Sequence, residues 1–228
     1  MRTAAILPVK RFASAKSRLG EAVADELRGR LARAMVADVL QALAECSTLE
    51  TTIVVSNEPS LPETARAHGA LSIEDSAEQG QSAAVSLGIQ RAMADGFERV
   101  LCVPGDCPAL DPVELYALLA DSPSIGGSLV IIPDRHGTGT NGLLLAPPDA
   151  ISPSFGPGSC ERHRELAREA GVACRVEQPS SLLLDIDTGA DLAALRERLA
   201  GANAGALRTR AVLSQPENTE VITDNSVG

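Results

Sequence analysis

The sequence predicts an α/β fold: a single domain built on an open, mixed, mostly parallel sheet flanked by helices. Two observations predict most of this. Short apolar, β-branched runs alternate with longer stretches in which apolar residues recur every three or four positions. Such alternation implies strands joined by helical crossovers, which make neighbouring strands parallel. A third observation mixes the sheet. Between 127 and 147 two apolar runs follow one another with only a polar, glycine-containing loop between them.

The elements follow in chain order. "TAAILPV" (3–9) is a short apolar run and reads as a buried strand. "VADELRGRLARAMVADVLQALAEC" (23–46) carries the three- and four-residue apolar spacing of a long amphipathic helix. "TTIVVSN" (51–57) is a β-branched strand, "LPETARAHG" (61–69) a short helix closed by glycine, and "ALSIED" (70–75) a brief strand. "SAAVSLGIQRAMADG" (82–96) is a helix with Gly96 as its stop. "RVLCVPGD" (99–106) is a strand, "PVELYALLAD" (112–121) a helix, "GSLVIIPD" (127–134) a strand, and "NGLLLAP" (141–147) its return. "SCERHRELAREAG" (159–171) is a helix, "ACRVEQ" (173–178) and "SLLLDID" (181–187) are strand-like, and "GADLAALRERLAG" (189–201) is a final helix. The domain is therefore expected to span 1–200. The polar text after Gly201, ending "SQPENTEVITDNSVG", reads as a mobile C-terminal tail over 201–228.

Composition narrows the function. Of 228 residues 44% are hydrophobic, enough for a sizeable core, but only 2% are aromatic and none is Trp. The core is therefore aliphatic, and the stacking platforms of single-strand nucleic-acid binders are missing. A net charge of −10 opposes general phosphate-backbone binding. It leaves room for a local basic pocket holding a small anion. The five cysteines are odd in number and form no CxxC pair, which suits reduced cytoplasmic thiols rather than a disulfide framework. No apolar stretch is long enough to span a membrane, and Lys10, Arg11, Lys16 and Arg18 interrupt any signal-peptide pattern.

In open α/β sheets ligands collect outside the carboxyl ends of the strands. Four groups of residues are expected there. "PVKRFASAKSRLG" (8–20) places Lys10, Arg11, Lys16 and Arg18 around Ala13, Ser14 and Ala15. Small residues let backbone amides approach an anion and the cations neutralise it, although no P-loop motif is present. "VPGDCPAL" (103–110) ends a strand on Asp106, a carboxylate suited to a divalent cation, to a ribose hydroxyl, or merely to a turn. "LLLDIDTGADL" (182–192) alternates Asp185 and Asp187, which extended geometry would put on one face. With Asp106 they could supply oxygen ligands to Mg²⁺; alternatively Thr188 caps the last helix and Asp185 is simply exposed. "DRHGTGTNGLLL" (134–145) and "FGPGSCERH" (155–163) form the fourth group. Glycines 137, 139, 156 and 158 suit a permissive backbone, and Thr138, Thr140 and Ser159 add donors for a phosphate or carboxylate. An ordinary helix cap is the competing reading of Ser159. His136 and His163 lack metal-ligand spacing and read as structural or surface residues.

In this order the motifs "PVKRFASAKSRL", "VPGDCPAL", "DRHGTGTN", "FGPGSCERH" and "LLLDIDTGADL" resemble the phosphoacid guanylyltransferases of deazaflavin coenzyme F-420 biosynthesis, over roughly residues 3–200. These are the 2-phospho-L-lactate and phosphoenolpyruvate guanylyltransferases. The resemblance implies a Rossmann-like nucleotidyltransferase fold using GTP, Mg²⁺ and a small phosphorylated three-carbon acid: phosphoenolpyruvate, 2-phospho-L-lactate or 3-phosphoglycerate. The acid's phosphate attacks the α-phosphorus of GTP, pyrophosphate leaves, and the product passes to a downstream deazaflavin transferase. By the same resemblance Asp106, Asp185 and Asp187 match metal-binding positions. Thr140, Gly156 and Ser159 match acid-binding positions, with Arg135 helping to neutralise charge. Lys10, Lys16 and Arg18 lie over the triphosphate, and Lys16 and Asp106 are the catalytic candidates. Gly80 lies near the nucleobase, with Ser82 where the family usually carries Asn. The expected setting is the cytoplasm, without nucleic acid or membrane, with a homodimer among the assemblies considered.

Two other readings stay open at this point. One is a nucleotidyltransferase acting on a sugar phosphate or a molybdenum cofactor, although a GGxSxRMG-like first loop is missing. The other is a non-catalytic nucleotide-binding regulatory protein, which would be expected to lose the aspartates present here.

Overall fold

The computed structural model describes residues 1–14, 19, 24–121, 127–201 and 205–215. Among them the strands are β1 (Thr3–Val9), β2 (Thr51–Ser56), β3 (Leu71–Glu74), β4 (Arg99–Cys102), β5 (Ser128–Pro133), β6 (Thr140–Ala146) and β7 (Ala173–Val176). The helices are α1 (Asp25–Glu45), α2 (Leu61–Ala67), α3 (Gln81–Ala94), α4 (Pro112–Ala120), α5 (Ser159–Glu169), α6 (Gly189–Leu199) and α7 (Leu207–Leu213). The strands form one sheet of order β3-β2-β1-β4-β6-β5-β7. β6 runs antiparallel to both neighbours and every other pairing is parallel. The mixed, mostly parallel sheet is thus the one the 127–147 return implies.

Strand residues alternate between two apolar layers, as a period of two requires when both faces are covered. Ala5, Leu7, Val54, Leu101, Val130 and Leu144 face the layer shared with α1 and α4. Ala4, Ile6, Ile53, Val100, Leu129 and Leu143 face the layer shared with α3 and α5. The near-absence of aromatics is met by Leu, Ile, Val and Ala filling both layers. No helix of the described residues is long and apolar enough to cross a membrane.

Two sequence expectations need correction. Residues 181–187 do not form a strand. Ser180–Leu182 is a tight helical turn after Pro179. The backbone N–H of Ile186 donates to the Asp106 carbonyl (3.1 Å), and Asn141 donates its side-chain amide to the Leu182 carbonyl (2.8 Å). Leu182 and Ile186 are fully buried, in two different apolar clusters rather than in a ladder. Nor does a tail begin at 201 as expected. α7 packs its Leu213 into a third apolar cluster with Leu31 and Met35 of α1 and Leu195 of α6. The buried carboxylate of Asp38 on α1 accepts the amides of Arg208 (3.1 Å) and Thr209 (2.7 Å), satisfying two donors in the first turn of α7. The remainder of the expected tail, 216–228, lies outside the described residues.

Candidate active site

A cavity of about 1070 Å³ opens at the carboxyl ends of β1 and β4 and the amino end of β6. Its wall includes Lys10 and Arg11 after β1, Gly80 before α3, Asp106 after β4, Thr138–Thr140 between β5 and β6, Gly156 and Ser159 at the start of α5, and Asp185 and Asp187 before α6. The described metal, acid and nucleotide candidates, Arg135 apart, therefore meet in one pocket. Lys16 and Arg18 lie outside the described residues.

The β5–β6 loop is organised by Asp134. Its carboxylate accepts the backbone N–H groups of His136 (3.1 Å), Thr138 (3.0 Å) and Gly139 (2.9 Å). That explains both glycines. Gly137 sits at φ +73°, a conformation that side chains strain. A Cβ on Gly139 would lie 2.6 Å from the Asp134 carboxylate. Thr138 then offers its carbonyl to the Cys160 amide (3.2 Å), pinning the loop to the first turn of α5. Arg135, expected at the acid site, instead pairs with the buried Asp191 of α6 (2.7 Å).

Thr140 and Ser159 are buried side by side against His163 of α5. The Ser159 hydroxyl donates to Thr140 Oγ1 (3.1 Å), and Thr140 Oγ1 lies 3.1 Å from His163 Nδ1. Nε2 of the same ring accepts the Ser154 amide (2.9 Å). Ser159 is not the helix cap: Gly158 holds that position in the left-handed region. Burial, aided by the Arg162 charge, pushes the His163 imidazole down to about 4, so the ring is neutral near pH 7.

The carboxylates line the same cavity. Burial, then the charges of Asp106 and Asp187, raise the Asp185 carboxyl above its ordinary value, while a hydrogen bond from the Asn141 amide (3.1 Å) opposes the shift. Asn141, to which the sequence motifs assign no role, thus aims Asp185. Thr188 does cap α6, in a reciprocal capping box with Asp191, yet Asp185 is half-buried in the pocket rather than exposed. Among the described residues no three His, Cys, Asp or Glu side chains are drawn together as a metal cage. The donor set is oxygen-only and crowded with like charge, which fits a hard divalent cation completing its shell with water and phosphate oxygens.

Beside Lys10, Arg11 pairs with Glu78 (2.9 Å). Gly80 holds φ +99° at the start of α3. Ser82 is turned away from the cavity, its hydroxyl accepting the Phe155 amide (2.9 Å), so it braces α3 against the loop before α5.

Carboxylates and hydroxyl donors that converge on one pocket, at the carboxyl edge of a sheet with one reversed strand, suit a nucleotidyltransferase. Solved structures agree on the fold. A chain from Desulfovibrio desulfuricans G20, assigned to the nucleotide-diphospho-sugar transferases, superimposes with a TM-score of 0.74 at 23% identity over 98% of each chain. A nucleotidyl transferase from Methanothermobacter gives 0.62 at 18% identity over 87% of this chain and 98% of that one. The chain belongs to the family described as guanylyl transferase CofC like, which matches residues 3–205. Among curated relatives, the phosphoenolpyruvate guanylyltransferase of Conexibacter woesei is 47% identical over 94% of this chain and 96% of its own. That of Sphaerobacter thermophilus is 38% identical over 88% and 94%. The enzyme is thus a guanylyltransferase.

Proposed function

We propose that the enzyme joins the GMP unit of GTP to the phosphate of a three-carbon phosphoacid, with phosphoenolpyruvate as the acid and Mg²⁺ as the cofactor. A phosphate oxygen of the acid forms the new bond to the α-phosphorus, the bond from that phosphorus to the bridging oxygen breaks, and pyrophosphate leaves. The attacking oxygen is already an anion, so no protein base is needed. Positioning and charge neutralisation carry the rate.

One observation carries this reading: the polarity of the cavity wall. Its described charged residues are six carboxylates (Asp75, Glu78, Asp106, Asp134, Asp185 and Asp187) and two cations, Lys10 and Arg11. Two polyanionic substrates enter such a wall only with added positive charge. Asp106, Asp185 and Asp187 would hold Mg²⁺, which when bound neutralises phosphate oxygens as charge develops. Lys10 faces the triphosphate, Gly80 lets the backbone approach the nucleobase, and Gly156 leaves room for the acid. Thr140 meets the acid, and Ser159 backs it by donating its own hydroxyl hydrogen to Thr140. The choice of phosphoenolpyruvate rests on the names of the relatives. The product, a guanylyl diphosphate-linked acid, would go to a deazaflavin transferase of F-420 biosynthesis in the cytoplasm.

Pyrophosphate release tests the proposal, with GTP against phosphoenolpyruvate, 2-phospho-L-lactate and 3-phosphoglycerate, with and without Mg²⁺. Turnover should require GTP, Mg²⁺ and an acid, and be fastest with phosphoenolpyruvate. Turnover of CTP with a sugar phosphate, and none with GTP and any acid, would sink the assignment. Light scattering on the same sample reads whether one chain or a pair is the working unit.

A further inference from the structure

We propose that His163 is a positioning residue: it fixes the direction of the hydrogen bonds through Thr140, so that Thr140 meets the acid as a donor. The proposal rests on the reading of Thr140 as an acid-binding residue, and deepens it.

The argument is an accounting of hydrogens. A backbone N–H can only donate, so the Ser154 amide, 2.9 Å from Nε2, requires an unprotonated Nε2. A neutral imidazole carries one N–H, which must then sit on Nδ1. That N–H points at Thr140 Oγ1, 3.1 Å away. Ser159 Oγ donates to the same oxygen, also at 3.1 Å. A threonine hydroxyl has two acceptor lone pairs and one hydrogen. Both lone pairs are occupied from the protein side, so the hydrogen is the one part of the hydroxyl left to face the cavity that Thr140 lines. A ligand atom seated there must accept, as a carboxylate or phosphate oxygen does; a ligand hydroxyl or ammonium offering a hydrogen meets another hydrogen.

The amide that sets this tautomer is itself held in place. Arg162 donates to the Ser154 carbonyl (3.0 Å) and to its hydroxyl (3.2 Å). The next amide, that of Phe155, is taken by Ser82 Oγ (2.9 Å). The Phe155 ring meets the imidazole edge-on at 5.3 Å between centroids. A doubly protonated ring would put two N–H donors face to face at Ser154. The depressed imidazole value agrees, since it keeps the ring neutral near pH 7.

Two substitutions separate the two ends of the ring. Asn places its amide near the Nδ1 position and can still donate to Thr140. Gln places its amide near Nε2 and can still accept from Ser154, but leaves Thr140 without its donor. His163→Gln should raise the acid KM by about two- to tenfold, the range of one net hydrogen bond, with the GTP KM unchanged. His163→Asn should restore the acid KM toward wild type. A residue that only braces the 154–155 loop would give the reverse order, with Gln the milder change, and that result overturns the proposal. Thr140→Ala is the reference. If it raises the acid KM selectively while both His163 variants match wild type, the polarity argument fails and the acid-site reading stands. If it has no acid-selective effect, the acid-site reading fails and takes the proposal with it. Because the variants could also lose stability, imidazole ¹⁵N spectra of the unliganded wild type give an independent check. At neutral pH Nε2 of His163 should be the bare nitrogen; a protonated Nε2 overturns the proposal without recourse to any variant.

Discussion

Replacing Asp134 by Ala removes the hub of the β5–β6 loop, and its consequence can be worked from the geometry. Three amides at 2.9–3.1 Å lose their shared acceptor. The carboxylate is half-exposed, so water replaces part of what is lost. At about 1 kcal/mol net per bond the loop loses roughly 2–3 kcal/mol of its preference for the observed conformation. If the acid binds only that conformation, its apparent affinity falls with the competent fraction, by up to roughly thirty- to a hundred-and-sixtyfold where the loop has no stability to spare. The acid KM, read by pyrophosphate release at saturating GTP, should rise by that order, and the GTP KM should not. Asp134→Asn should be intermediate. It can keep the acceptor for His136 and Thr138 but would turn an NH₂ toward the Gly139 amide. A wild-type acid KM in Asp134→Ala would refute the reasoning. A lowered melting temperature with unchanged KM would show that Asp134 serves stability alone.

Asp106→Asn and Asp187→Asn should each lower turnover by about a hundredfold or more, the scale of losing a metal carboxylate, while circular dichroism stays native; near wild-type rates would move the metal site elsewhere. Asp38→Ala should cost about 1–3 kcal/mol in urea unfolding, because two amides in the first turn of α7 lose a buried acceptor. Acid sensitivity should be traceable to His163. Its value falls from the ordinary 6.5 to about 4 on folding, so below 6.5 the unfolded chain binds a proton that the folded chain refuses. The stability it contributes is complete above pH 6.5 and lost as pH drops toward 4; in His163→Asn that part of the decline should vanish from a urea series across the window.

The sheet was legible because its physics is local. Strands covered on both faces read as apolar runs, helices read by their spacing, and the 127–147 return announced the reversed strand. The two misreadings share a cause. "SLLLDID" has a strand's pattern, but Leu182 and Ile186 are buried in two different apolar clusters, and their backbone partners, Asn141 and Asp106, are far away in sequence. Likewise nothing within "LRTRAVL" announces α7. The carboxylate that holds its first turn stands 170 residues earlier, at Asp38. Where long-range hydrogen bonds decide between strand, turn and tail, a local pattern does not contain the answer.

The pocket shows the same division at finer grain. Which residue types converge at the sheet edge followed from the motifs, since glycines, hydroxyls and carboxylates after strands have few other uses together. How they are wired did not follow. Arg135 was expected at the acid and is spent on Asp191, because a buried carboxylate on α6 is the nearer demand. His163 lacks metal-ligand spacing, so the sequence motifs assign it no role in the site. Yet Ser159 and His163 stand four residues apart on one helix, which places both on the same face. Ser159 is the acid-site candidate on that face. Helical spacing alone therefore suffices to pair a histidine with a candidate hydroxyl one turn ahead of it. What spacing cannot supply is the Ser154 amide, and without that fixed donor the ring could serve Thr140 in either direction.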